Sequence, residues 1–343
     1  MTIGTFLFLI TDVELTIQNS DFLNGYGQIG GAIYLSGFSN LKVFKSSFKN
    51  NQAFTNGGAI YAVGFQSIIL EQCDFLQNRA QDGGDDIYAS NTDKNLTLQS
   101  VSIVNKLARN SIYAEQCGVQ IIDSQIKEIN NIQSTQGAGL QCFNCRNIYI
   151  SQSLFSSLFS QIGSAIYIEE NEGNKLVSDS LEKYKIQNSK FQNCVANVAG
   201  GVFFLNNIQY MSIQNSTFQD NKALYQSTYS KQEIAGAGGA IYFTCDETYL
   251  NCQLTLSRQN KFTNNLAEIK GGAIFWDAVE PQFSDIIFSK NKALYYGDNI
   301  ACFSQNLIVI NQTYYNFKLL DLGILKNDDQ IFAEIQLKMK KCQ

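Results

Sequence analysis

Along most of the chain, two apolar residues with a single residue between them stand seven and five positions before a phenylalanine or isoleucine. Leu41 and Val43 stand so before Phe48, Ile68 and Leu70 before Phe75, and Met211 and Ile213 before Phe218. The spacing recurs at Leu15/Ile17, Leu96/Leu98, Val119/Ile121, Ile148/Ile150 and Tyr184/Ile186. Alternation with a period of two marks a strand with one buried face. A second element follows in each unit, a small-small-aliphatic step. Aligned on it, the chain gives Ile33, Ile60, Ile87, Ile112, Leu140, Ile166, Phe203, Ile241, Ile274 and Ile300. Most steps are 25 to 28 residues long, and the longer ones carry polar insertions such as 169–183 and 225–237. A fixed period broken only by insertions is the signature of a solenoid. Helical repeats do not fit, because the apolar residues alternate and Gly-Gly pairs recur.

The pattern predicts an all-β chain: a parallel β-helix of about ten coils over residues 1–310. Equivalent strands would stack at ~4.8 Å. Phe48, Phe75, Phe191, Phe218, Phe262 and Phe288 then form an inward column, and Asn51, Asn78, Asn221, Asn265 and Asn291 share one turn. Gly57-Gly58 and its equivalents supply a corner with positive φ. Tyr34, Tyr61, Tyr88, Tyr113, Tyr167 and Tyr242 fall on the outer face. Two units depart from the rule. Leu254/Leu256 come one position early before Phe262, and Pro281, which removes a ladder donor, predicts a broken strand before Phe288. Residues 311–343 drop the repeat and read as a cap or the first strands of a further β domain. The apolar patch at Phe6–Ile10 reads as a first strand rather than a leader, and both ends look cut from something longer.

Composition narrows the chemistry. There is no histidine, which excludes His-based triads, bases and metal ligands. Charged residues are 16% and the net charge is −5, so the basic stripe of a nucleic-acid binder is missing. No apolar run reaches the length of a membrane-spanning helix.

Full GGAI stands at Gly30, Gly57, Gly238 and Gly271, with GSAI at Gly163 and GGVF at Gly200. With the Phe-x-x-Asn step, these phrases resemble the repeats of the chlamydial polymorphic outer-membrane proteins. More broadly, residues 15–303 look like the pectin-lyase-like superfamily. The resemblance implies a right-handed β-helix and a secreted or cell-surface protein implicated in adhesion. It also implies one segment of a larger chain, with membrane anchoring through parts not in this sequence. A carbohydrate-active enzyme, a polysaccharide lyase or hydrolase, is the alternative.

Such enzymes need acidic residues in adjacent coils on one outer face. Three positions after the ladder aliphatic, this chain has Glu115, Glu169 and Asp277, none in adjacent coils. Asp82, Asp85 and Asp86 could form a weak calcium site or a solvated turn. Nine cysteines include Cys245 and Cys252, which could close a short loop. Cys117 and Cys145 share a register in adjacent coils and could be bridged or stacked as buried thiols. Cys142-x-x-Cys145 lacks the second pair that a zinc site requires. The outward tyrosines, with Tyr34, Tyr61, Tyr88 and a continuation at Trp276, are the candidate surface for a glycan or a surface partner. The alternative is that these rings pack on one another or beneath the insertions. Sequons at Asn95, Asn215 and Asn311 are no more frequent than the composition predicts.

Overall fold

Each coil contributes a strand to each of three parallel sheets, and each strand pairs with its equivalents one repeat before and one after. The computed structural model describes residues 6–303 except 107, 131–135, 172–182, 229–231 and 247–250. The segment 311–343 lies outside the described residues. The architecture is a right-handed parallel β-solenoid of about ten turns.

The register follows the sequence pattern residue for residue. In the first sheet Ile33 pairs with Ile60, Ile60 with Ile87, and Ile87 with Ile112. The series then runs through Leu140, Ile166, Phe203, Ile241, Ile274 and Ile300. In the second sheet the pair Leu41/Val43 lies beside Ile68/Leu70. In the third, Phe48 lies beside Phe75. These side chains fill one continuous core. Phe22, Phe48 and Phe75 stack with centroids 4.8 and 4.7 Å apart and nearly parallel rings. Ile103 and Ile126 interrupt the column, which resumes from Phe155 through Phe191, Phe218 and Phe262 to Phe288. Stacking adds about 0.5–1.5 kcal/mol per ring pair beyond the burial of apolar area.

The asparagine of the Phe-x-x-Asn step closes the coil. Asn265 Nδ2 donates to the Phe218 carbonyl of the coil before it, at 3.0 Å, and to Asn291 Oδ1 of the coil after it, at 2.9 Å. Asn51 does the same with Phe22 O and Asn78 Oδ1, and Asn221 with Phe191 O and Asn265 Oδ1. All are buried. A buried amide without partners costs about 1–3 kcal/mol, so this position is confined to a side chain that donates and accepts. At the next corner Gly57 has φ +68°, and a Cβ on Gly58 would collide with the Asp85 carbonyl of the following coil.

The two sequence departures appear as local irregularities. The strand after Pro281 shrinks to Gln282–Phe283. The extra residue before Phe262 is absorbed by two consecutive left-handed residues, Arg258 (φ +56°) and Gln259 (φ +60°). The neck of the 169–183 insertion is closed by a buried ion pair, Lys183 Nζ to Glu170 Oε2 at 3.0 Å.

Candidate functional site

Strand alternation places the residue after each ladder aliphatic on the outer face of the first sheet. Phe8, Tyr34, Tyr61, Tyr88 and Tyr113 occupy it in successive coils. Their rings lie 4.8 to 5.5 Å apart and within 20° of parallel. Each ring face is therefore covered by its neighbour. What the four tyrosines offer solvent is a half-exposed row of ring edges and phenol oxygens. A sugar cannot lie flat on these rings, but it can meet a line of hydroxyls repeating once per coil, about every 4.8 Å.

The phenols of Tyr61, Tyr88 and Tyr113 remain protonated donors at neutral pH. Burial raises Tyr61, with the neighbouring Tyr34 adding to it. Burial also pushes Tyr88 up to about 12, and Glu115 adds to it. Tyr113 is raised for the same reasons, burial first and Glu115 second.

Gln141 takes the next slot, and Phe143 leans into the gap with tilted contacts to Tyr113 and Tyr167. Beyond it the column continues as Tyr167, Phe204, Tyr242 and Phe275. These four are buried, at 4%, 7%, 1% and 0% exposure. They form a second apolar cluster with Ala235, Ala237, Ile234 and Tyr296. The end of the 225–237 insertion, 234–237, thus packs against the column beside Ile162, Val198 and Ala199. Lys270 fastens it, donating to the Glu233 carbonyl at 2.7 Å and lying over the Phe275 and Phe303 rings at 4.4 and 3.7 Å. Burial lowers Lys270 to about 8, against the opposing pull of Asp277 and Glu233. Each buried phenol has a carboxylate from an outward position: Tyr167 donates to Glu169 at 2.6 Å and Tyr242 to Asp277 at 3.1 Å. Burial raises Asp277, while Thr244, Tyr242 and the Cys245 amide hold it down. Glu169 and Asp277 are thus each engaged with a tyrosine of the column. Lys270 carried one sequence signal, a lone charge just before a Gly-Gly pair where Ala237 and Asn56 stand elsewhere.

Three expectations are corrected. Trp276 does not continue the outer column. It pairs with Phe243 and is buried in the main core, because Phe275 already takes the outward slot of its strand. The strand Ile274–Asp277 has three large apolar residues in a row, so alternation alone could not assign its faces.

Asp82, Asp85 and Asp86 do not converge. Asp82 is exposed, while Asp85 and Asp86 are buried. Asp85 accepts from the amides of Ala80 at 2.7 Å, Arg109 and Asn110. Asp86 accepts from Asn78 at 2.8 Å and from Asn105, ending the first asparagine ladder. Burial pushes Asp85 up to about 6 and Asp86 up to about 7, against these bonds. The pair is neither a solvated turn nor a cation site. Among the described residues no three His, Cys, Asp or Glu side chains are grouped to hold a metal.

Cys117 and Cys145 are not bridged. Cys117 is a buried free thiol, and Cys145 is joined to Cys142, with Cα atoms 6.0 Å apart. The Cys117 and Cys145 sulfurs point to equivalent carbonyls, Ala89 at 3.4 Å and Ala114 at 3.7 Å. In-register side chains on parallel strands run side by side at ~4.8 Å, wider than the ~3.8 Å Cβ approach of a disulfide. Cys245 and Cys252 form a disulfide with Cα atoms 6.2 Å apart.

Residues 45–63 and 215–244 match the family model for the Chlamydia polymorphic membrane protein repeat. Each stretch runs from a strand of the third sheet through the asparagine turn and glycine corner into the first sheet. The chain is similar to that repeat over these two passages. No curated protein and no solved structure matched the chain. Among the described residues no helix is long and apolar enough to cross a membrane.

Proposed function

We propose that this chain is a non-enzymatic extracellular or cell-surface scaffold. It would serve as a stiff adhesive or stalk segment whose open tyrosine row meets a glycan or a surface partner. The observation that carries the reading is the register of Tyr34, Tyr61, Tyr88 and Tyr113, stacked with their hydroxyl edges outward on one face of the rod. A parallel β-solenoid is a fold typical of surface and adhesion proteins or of carbohydrate-active ones. The repeat match supports a surface location. The engagement of Glu169 and Asp277 with tyrosines favours the scaffold over the enzyme.

The test is a triple variant, Tyr34→Phe, Tyr61→Phe and Tyr88→Phe, which keeps the stacked rings and removes three hydroxyls. On a glycan array and on intact cells, the wild-type protein is expected to bind and the variant to lose most of that binding at unchanged melting temperature. Equal binding by both proteins would sink the assignment of the row. Turnover of an acidic polysaccharide, with or without calcium, would replace the scaffold by a carbohydrate-active enzyme.

A further inference from the structure

The extra residue before Phe262 does more than bend the chain. In the two preceding coils the turn between the second and third sheets has one left-handed residue, Asn188 (φ +51°) and Asn215 (φ +46°). With Arg258 and Gln259 both left-handed, the third turn bulges, and an open groove of about 450 Å³ forms beside it. Around Asn215 its lining is Gln187, Asn188, Gln214, Arg258, Gln259 and Asp285. Every one of these side chains is a hydrogen-bonding amide, guanidinium or carboxylate, the complement of a hydroxyl- and acetamido-bearing sugar.

Asn215 begins the sequon Asn215-Ser216-Thr217. We infer that Asn215 is an N-glycosylation site and that the first sugars of its glycan occupy this groove. The sequon alone does not carry the inference, since the composition predicts several; the contrast between sites does. Asn215 is exposed, and its Nδ2 donates to Asn188 Oδ1 at 2.7 Å. An amide nitrogen has two hydrogens, so one is free for substitution while the other keeps this bond. Ser216 lies inward, its hydroxyl donating to the Gln214 carbonyl, and Thr217 is part-exposed on the next strand. The other described sequon, Asn95-Leu96-Thr97, lies along the strand Asn95–Gln99. The Asn95 side chain is only half-exposed, and its Oδ1 lies against Gly118 of the next coil. Asn95 has no such groove beside it among the described residues, and its amide is less open to a transferase than that of Asn215.

The inference rests on the surface reading, because the transfer belongs to a secretory compartment. The co-reactant is a lipid-pyrophosphate-linked oligosaccharide, used by the host's transferase. The Asn215 amide nitrogen attacks the anomeric carbon, the new C–N bond replaces the C–O bond to phosphate, and the lipid pyrophosphate departs. The amide proton goes to a base on the transferase.

The test expresses the full chain behind a host leader in a eukaryotic secretory cell line. Secreted protein is treated with N-glycosidase in heavy-oxygen water, and both sequon peptides are read by mass spectrometry. The expected result is conversion of Asn215 to labelled aspartate in most molecules, with Asn95 unlabelled. Thr217→Ala should abolish the label at Asn215, and Thr217→Ser should retain it. Secreted protein with Asn215 unmodified, or with Asn95 carrying the glycan instead, overturns the inference. Surface labelling of the protein in its native cells tests the surface reading separately, since the host leader makes the acceptor assay independent of it.

Discussion

The two halves of the outer aromatic column share a sheet, a register and a stacking geometry, yet differ in what they meet. Tyr34, Tyr61, Tyr88 and Tyr113 are half-exposed, while Tyr167, Phe204, Tyr242 and Phe275 are as buried as the core. The third-sheet strands run longer here, to Ile162 and Ala199, and their ends join the buried cluster. The end of one insertion, 234–237, packs against the second half as well, with Lys270 holding the Glu233 carbonyl beside it. The ring chemistry follows the cover. After Phe8 the open stretch uses tyrosine, from Tyr34 to Tyr113, since water can satisfy each hydroxyl. The covered stretch alternates tyrosine with phenylalanine, and its two phenols are given to Glu169 and Asp277. A buried phenol needs a partner and a phenyl ring does not.

Substitutions can break this contrast. The largest difference is expected from ring deletion. Tyr242→Ala should cost roughly 3–5 kcal/mol, as for a core aromatic, and Tyr61→Ala only about 1–2 kcal/mol from two lost stacking contacts. Paired urea denaturation curves measure this, and equal costs would mean that the insertion does not seal the column. Next comes Ala235→Asp, which places a carboxylate in the covering cluster where a fully buried methyl group stood. It should lift the segment, visible as rapid proteolysis within 225–237, while the glycine-cornered open half stays resistant.

Removing single hydroxyls sharpens the comparison. Tyr242→Phe removes one donor from the half-buried Asp277, which keeps the Cys245 amide, and should cost about 1 kcal/mol. Tyr61→Phe, whose hydroxyl reaches water, should change stability by less than about 0.5 kcal/mol. The smallest effect concerns pH. Burial holds Lys270 at about 8, below its ordinary 10.5, so the folded chain binds fewer protons than the unfolded one between those values. This lysine therefore makes stability rise as pH climbs from about 8 toward 10.5, and the penalty is fully present below 8. Between pH 7.5 and 9.5 the wild type should gain stability relative to Lys270→Met, because the buried thiols Cys117 and Cys194, raised to about 12, oppose the rise equally in both proteins; substitutions in the open half should leave that difference unchanged.

The repeat is legible because a solenoid writes its contacts at constant spacing. Ile33 to Ile300, the phenylalanine column, the asparagine turn and the outward tyrosines can all be placed by counting. Counting fails where more than one rule fits the same letters. Ile274-Phe275-Trp276 has no polar residue to mark its faces, so the pattern sends Trp276 outward when it belongs inside. Asp85 and Asp86 read as a solvated turn because carboxylates are rarely buried. The clue is Asp298-Asn299 in the last coil, which makes the equivalent bonds to Ala293 and Asn291. Nothing in the repeat indicates that 234–237 packs onto the column, or that an added residue at Gln259 opens a groove. Both depend on how one segment docks against distant coils, which periodicity does not encode.

The asparagine ladders give the rod a direction. In each, Nδ2 of one coil points to Oδ1 of the next, so the amides align head to tail. The series ends only where an oxygen within the last coil, Asp86 Oδ1 or Asn299 Oδ1, accepts the final hydrogen. A whole coil duplicated between the Asn221 and Asn265 units would meet the same partner above and below, and no amide would be stranded. A coil spliced in behind Asp86 would meet a terminus. Length is therefore adjustable in the interior of a ladder and fixed at its end, so such a protein can grow by repeating its middle while its boundaries stay where they are.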